Sequence, residues 1–419
     1  MSASPPGMRV DNYPAAQRSL RIAFVTETYP PEVNGVAMST ARLVEGLHRR
    51  NHDVQLIRPR QEGGEPAKSS GMATPRFHEV LTRGLPIPQY PDLRMGLASK
   101  RSLVRLWSLH RPDVVHLATE GPLSWSALQA ARHLKLPVSS DFRTNFHAYS
   151  KHYGIGWLQR PVMAYLRKFH NRAHCTLVPT EALRTELAER GFQRLAVVSR
   201  GVDTQLFTPE RRSQALRARW GVGPDDLLLA CVGRLAPEKN LGVLIDAFEA
   251  VRRQHPNARL LLVGDGPQRD ELQARCPQAV FAGQRSGDDL AAHYASADLF
   301  AFPSLTETFG NVTTEAMASG LPVLAFNHAA AGQLIQPGRN GQLVPPGDTA
   351  SFVRTAVAMA GDIGTCRAMG LQARTDAEQL GWDSVVARFQ TVLVELSELA
   401  TQPPAPAARG RPADALSRA

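Results

Sequence analysis

Apolar and polar residues alternate between two periods along this chain. Ordered structure is expected from Leu20, where the run RIAFVTE, with its apolar core IAFV, reads as a short strand and PPEVNG supplies the turn. VAMSTARLVEGLHRR then spaces its apolar residues three and four apart, and HDVQLIRP returns to a strand, which together make a βαβ unit. Gly, Pro and Ser crowd residues 61–100 and no long periodic run survives there, so that stretch is expected to be a mobile surface excursion. The pattern resumes with a helix near 98–110, the strand 113–118, a helix over 123–134 and the strand 136–142. A helical stretch near 157–172, the strand 175–180, the helix EALRTELAERG and the strand 194–201 follow.

The sequence then starts afresh. Beyond GVDTQLFTPE the strand 226–233 opens a second series, with the helix LGVLIDAFEAVRRQ, the strands ARLLLVGDG and QAVFAG, the strand 298–304 and the strand PVLAFN at 322–327. Alternating strands and helices give parallel sheets, and a restart near 202–210 gives two of them. The expected organisation is an α/β chain of two doubly wound, Rossmann-like domains facing across a cleft, 20–202 and 203–383. A last helix over 384–400 is expected to pack across the boundary, and the Pro/Ala/Ser/Arg-rich tails 1–19 and 401–419 to be disordered. Ligands of such sheets bind at the carboxyl ends of the strands.

Composition narrows the class. The 419 residues are 43% hydrophobic, and no apolar run is long enough to cross a bilayer. The N-terminus lacks the apolar segment of a secretory signal, and the four cysteines show no paired spacing, so the expected compartment is the cytoplasm. Charge is lopsided. Residues 1–203 carry 28 Lys/Arg against 16 Asp/Glu, while residues 204–419 carry 20 against 22. Nucleic acid, an anionic membrane surface or an acidic substrate would each suit the basic half, as would plain solubility. No Cys/His finger, Gly-rich RNA signature or aromatic-interleaved basic run supports nucleic acid. GDGPQR lacks the third glycine of a dinucleotide fingerprint.

Two stretches carry the candidate chemistry. In VGRLAPEKN, Arg234 and Lys239 follow a strand and flank a helix start, where fixed cations and backbone N–H groups suit a diphosphate. A surface ion pair is the plain alternative, with Glu238 the nearest partner for Lys239. In PSLTETFGNVTTEAMASGLPVLAFN, Glu307 precedes a helix and Glu315 lies in its first turns, and carboxylates accept the paired hydroxyls of sugars and riboses. Gly310 lets the backbone approach a ligand.

ETFGNVTTE followed by AMASGLPV resembles the donor signature of the family-4 retaining glycosyltransferases of the GT-B fold. PPEVNGV, PDVVH, RGVD, GRLAPEKN and LLVGDGP recur in the family's order, over roughly residues 20–400. The resemblance implies a nucleotide-diphosphate sugar as donor, with GDP-mannose favoured and a UDP-sugar the alternative, and a lipid or glycan as acceptor. An epimerase of the same fold is a more remote alternative. It places Arg234 and Lys239 on the diphosphate, Glu315 on the ribose and Glu307 on the transferred sugar. The backbone near Phe309, Gly310 and Asn311 would close over sugar and phosphate, Gly35 would approach the phosphates, and Gly283 and Gln284 would lie beside the base. No cofactor is implied, and no metal, since no Asp-x-Asp triplet occurs. Related enzymes carry His-Thr where DFRTNFHAYSKHYG has Arg143, so Arg143 contacts phosphate or an acidic sugar, or His147 takes the role, or the donor is posed differently. The segment 156–174 pairs apolar Trp157, Leu158, Val162, Met163, Leu166 and Phe169 with basic residues, which suits either a core-facing helix or contact with the inner face of a membrane.

Overall fold

A computed structural model describes residues 18–32, 35–60, 75–87, 90–143 and 159–399. The tails expected at 1–19 and 401–419 lie outside these residues, apart from Arg18 and Ser19.

Eight strands form the first sheet: β1 (Arg21–Val25), β2 (Asp53–Pro59), β3 (Phe77–Ile87), β4 (Tyr90–Leu97), β5 (Val114–Leu117), β6 (Val138–Asp141), β7 (Cys175–Val178) and β8 (Leu195–Val197), in the order β4-β3-β2-β1-β5-β6-β7-β8. The pairings from β3 through β8 are parallel, and β4 adds to the edge antiparallel. The second sheet is parallel throughout and contains β9 (Leu228–Val232), β10 (Arg259–Val263), β11 (Val280–Gly283), β12 (Leu299–Phe302), β13 (Val323–Phe326) and β14 (Gly341–Val344). Its order is β11-β10-β9-β12-β13-β14. Strand order reverses beside β1 in one sheet, where β5 is the neighbour, and between β9 and β12 in the other. A crevice opens at such a reversal, because the flanking connections leave toward opposite faces.

Burial explains the local choices. β5, β9 and β12 are buried along their whole length, as expected of strands with a helix layer on each face. Helix Leu241–Gln254 buries Leu241, Leu244, Ile245, Phe248 and Val251, a single 3.6-period stripe, and ends with Arg252 and Arg253 against its negative dipole end.

Two expectations are corrected. Phe77–Ile87 and Tyr90–Leu97 are not an excursion but the antiparallel pair β3–β4, which extends the sheet. Gly84, Pro86 and Pro91 obscured it, and an edge position tolerates them. The strand expected over 194–201 stops at Val197, which leaves Arg200 in a loop. The last helix, Trp382–Leu399, expected to pack across the boundary, leaves the second half and packs on the first. It lays Val385, Val386, Phe389, Leu393 and Leu396 against Leu20, Phe24, Val44 and Leu47 of the first half. Gly46 permits that approach, since a Cβ there would lie 2.4 Å from Val386 Cγ2. The chain returns by a parallel bridge between Val202 and Gly381, with the Val202 N–H donating to the Leu380 carbonyl at 3.0 Å. Helix Gln159–His170 turns Leu166 and Phe169 inward, and Val162 and Met163 pack on the cluster of Phe142, Val178, Leu187 and Phe192. Leu166 and Phe169 are therefore covered by the protein itself, while Tyr165 of the same helix stays exposed. Trp157 and Leu158 lie outside the described residues.

Candidate active site

The second sheet presents its chemistry where its strand order reverses. Beyond β9 the chain passes Gly233 and Arg234, makes a short 3-10 turn over Pro237–Lys239, and enters helix Leu241–Gln254. Beyond β12 come Ser304, Glu307 and the eight-residue helix Asn311–Ala318. These two connections meet. The Lys239 ammonium pairs with the Glu307 carboxylate, and Ser304 Oγ donates to Glu307 Oε1 at 2.8 Å. Lys239 also lies 5.7 Å from the centre of the Phe302 ring, which anchors it from the strand side. Glu238 is not its partner. That side chain is buried and pairs with Arg234 instead.

Glu315 sits one turn into helix Asn311–Ala318. Tyr294 donates its hydroxyl to Glu315 Oε2 at 2.9 Å. Burial nonetheless pushes the carboxyl up to about 7, because one hydrogen bond does not offset lost hydration. Gly310 starts the helix with φ +91, a left-handed conformation that disfavours any side chain. Phe309 is buried and its carbonyl accepts from the Ala330 N–H at 2.8 Å, which fixes the turn.

The first sheet faces this assembly across a cavity of about 760 Å³. Thr306–Asn311 form one wall. Gly35, Glu27, Glu120, Arg143, Tyr165 and Arg200 contribute to the other. Gly35 begins helix Gly35–Arg49, and a Cβ built on it would come 3.6 Å from Asn311 Nδ2, so the walls nearly touch there. Glu27, two residues past β1, accepts from the Leu123 N–H at 2.8 Å, and burial pushes it up to about 7. Tyr165 donates its hydroxyl to the Glu120 carbonyl at 2.5 Å, and His170 Nε2 lies 3.5 Å from Glu120 Oε1. Asp141, at the end of β6, accepts from Arg143 Nε at 2.6 Å and faces His116 Nε2 at 3.6 Å. Burial works against its ionisation, but the Arg143 guanidinium and His116 outweigh this and hold the carboxyl well below the usual range. His116 itself is held neutral by burial, against the pull of Asp141.

Against known proteins, a family model described as Glycosyltransferase Family 4 matches residues 33–206, and one described as Glycosyl transferases group 1 matches residues 226–362. A GDP-mannose-dependent alpha-mannosyltransferase of Mycobacterium tuberculosis is 38% identical over 342 residues, spanning 81% of this chain and 87% of that protein. The chain belongs to glycosyltransferase family 4. The sulfoquinovosyl transferase SQD2 of Arabidopsis thaliana is 33% identical over 88% of this chain and 72% of its own. Among solved structures, the sucrose-phosphate synthase of Thermosynechococcus elongatus superposes with a TM-score of 0.73 at 20% identity, covering 90% of this chain and 99% of its own. These neighbours fix the fold as GT-B, and membership of the family makes the protein a hexosyltransferase.

In this glycosyltransferase the sequence-derived residues do not all reach the cavity. Glu307, Phe309, Gly310, Asn311, Gly35 and Arg143 line it. Lys239 joins it through Glu307, and Arg234 stands at the same strand reversal, paired with Glu238. Glu315 lies beyond Asn311 on the same helix. Gly283 and Gln284 are farther away, at the end of β11, two strands from β9, and do not line it. His147 lies outside the described residues. Sequence reasoning passed over Glu27, Glu120, Tyr165 and Arg200. Glu27 and Glu120 each follow the carboxyl end of a strand flanking the reversal, and that position was the available signal. Among the described residues no group of three or more His, Cys, Asp or Glu is placed to hold a metal ion, and no helix is long and apolar enough to cross a membrane.

Proposed function

We propose that the enzyme transfers a mannosyl group from GDP-mannose, with retention of configuration, to a lipid or glycan acceptor. The observation that carries this reading is the Lys239–Glu307 pair at the reversal between β9 and β12. In this reading the cation, held by the carboxylate that would take the sugar, would stand where sugar and diphosphate join. Arg234 and Lys239 would stabilise charge on the departing nucleotide, which is electrostatic catalysis by groups already fixed in place. Glu307 would take sugar hydroxyls, Glu315 the ribose, and Gly35 and the Phe309–Asn311 backbone would close over the phosphates. Gly283 and Gln284 would lie beside the base. GDP-mannose is the donor named for the relative at 38% identity, which supports mannose here.

Several observations support contact with an anionic membrane. The first half carries the positive charge, and Met38, Leu85 and Leu97 are exposed there. Cytoplasmic residence at the inner membrane face follows from that reading. Co-sedimentation tests it: binding to anionic vesicles should exceed binding to neutral ones. For the donor, a thermal-shift panel of GDP, GDP-mannose, UDP and UDP-glucose should show the largest stabilisation with the guanosine pair. Stabilisation by uridine compounds alone would overturn mannosyl transfer.

A further inference from the structure

Two arginines of the first half approach the cavity from separate strands. Arg143 follows β6 by two residues, and Arg200 follows β8 by three. Both line the main cavity, and both also line a smaller cleft behind it that contains Asp141. Arg143 is only 8% exposed. Its Nε and Nη2 converge on the same Asp141 oxygen, and Nη1 is buried with no hydrogen-bond partner. Arg200 makes no ion pair among the described residues, and its Nη1 reaches Ser39 Oγ at 3.4 Å. Asp141 is thus taken by Arg143, and Arg200 is left without a carboxylate partner among the described residues. Glu307, the other acidic group near Arg200, is engaged by Lys239 and Ser304. His116 is neutral and adds no charge. The strain shows in Arg200, which burial and the neighbouring Arg143 push down to about 9, against the opposing pull of Asp141 and Glu307.

A buried guanidinium N–H without an acceptor is costly, and sugar hydroxyls cannot neutralise a surplus cation. A carboxylate or phosphate can do both, because its oxygens match the guanidinium fork. We propose that Arg143 and Arg200 form an oxyanion subsite for a carboxylate or phosphate group that the substrate carries in addition to the donor's diphosphate. That group belongs either to the transferred sugar or to the acceptor, so one of the two is an acidic compound. The inference rests on Arg234 and Lys239 serving the diphosphate from the opposite wall.

The test uses the full chain with GDP at saturation, or UDP should the donor panel select it. Calorimetric titration compares methyl α-glucuronide with methyl α-glucoside, and glycerol 3-phosphate with glycerol. At least one charged probe should bind about tenfold or more tightly than its neutral twin. Repeating the titration with the nucleotide-sugar bound locates the source. Loss of the preference assigns the acid to the transferred sugar, and its persistence assigns it to the acceptor. Arg143→Gln and Arg200→Gln should each reduce the preference to about threefold or less while GDP affinity is kept. Arg143→Gln strips Asp141 of its partner, so Arg200→Gln, which orphans no carboxylate, decides if the first variant fails to fold. No preference for either charged probe overturns the proposal. So does a preference that survives both substitutions, or a loss of GDP affinity in the variants without any charge preference. Failure of the diphosphate reading registers separately, as unchanged GDP affinity in Lys239→Ala.

Discussion

The two walls of the cavity are built on different plans. On the side of the second sheet, charges meet in neighbouring pairs of opposite sign: Lys239 with Glu307, and Arg234 with Glu238. On the side of the first sheet, the polar groups form a layer in which buried His116, Asp141 and Arg143 support one another and half-buried Arg200 is left over. Paired charges near a cavity can exchange partners when a ligand arrives, at little cost in desolvation. A buried layer cannot, because each removal leaves an orphan. The second wall is thus suited to groups whose charge changes during reaction, and the first to fixing a substrate in one pose.

The largest expected effect tests the paired wall. Glu307→Ala should lower kcat/KM by about 10³-fold or more with the fold intact, read by steady-state kinetics beside a thermal melt. Parental kcat/KM would remove Glu307 from the site. The Lys239→Ala change should cost about 10²–10³-fold, and the double variant should lose much less than the product of the singles, because the two side chains act on each other. Next comes the support of the other wall. Phe389 is fully buried between the last helix and the first sheet, so Phe389→Ala should destabilise the protein by about 3–5 kcal/mol, measured by chemical denaturation. A loss near zero would show that this helix is dispensable to that core.

Smaller effects concern the two carboxyls with raised pKa. If ionised Glu315 accepts the ribose hydroxyls, donor KM should rise as pH falls below about 7, by up to about tenfold, and Glu315→Gln should flatten that profile. The smallest effect is on stability. Burial raises Glu27 from 4.5 to about 7, so ionisation is less favourable in the folded than in the unfolded state. Its stabilising contribution is complete below pH 4.5 and is lost as pH rises through 7. Glu27→Gln should therefore melt about 2–4 °C less far below its pH 6 value at pH 8 than the parent does. Equal pH dependence would place the titration elsewhere.

How much the sequence revealed also differs between the walls. Arg234, Lys239, Glu307 and Gly310 stand in two short stretches, each directly after a continuous apolar strand, and such local patterns can be read without a structure. Glu27, Glu120, Tyr165 and Arg200 come from four connections scattered over the first half, and only the closure of the sheet brings them together. The same distinction applies to the fold. Long amphipathic helices such as Leu241–Gln254 were legible to the residue, whereas β14 is four residues long and opens with a glycine and a glutamine, and the paired strands β3 and β4 carry glycine and proline that mimic a loop. The destination of helix Trp382–Leu399 was illegible because its stripe of Val385, Val386, Phe389 and Leu393 would suit either sheet.

That destination reaches back to how the protein is made. A ribosome delivers the β9–β14 half complete before it delivers the helix that closes the earlier half. The half synthesised second can therefore mature first, while Phe24, Val44 and Leu47 wait uncovered for residues encoded more than three hundred codons downstream. The nascent chain thus carries an open hydrophobic seam through most of its synthesis, which is the interval when a chaperone has the most to shield.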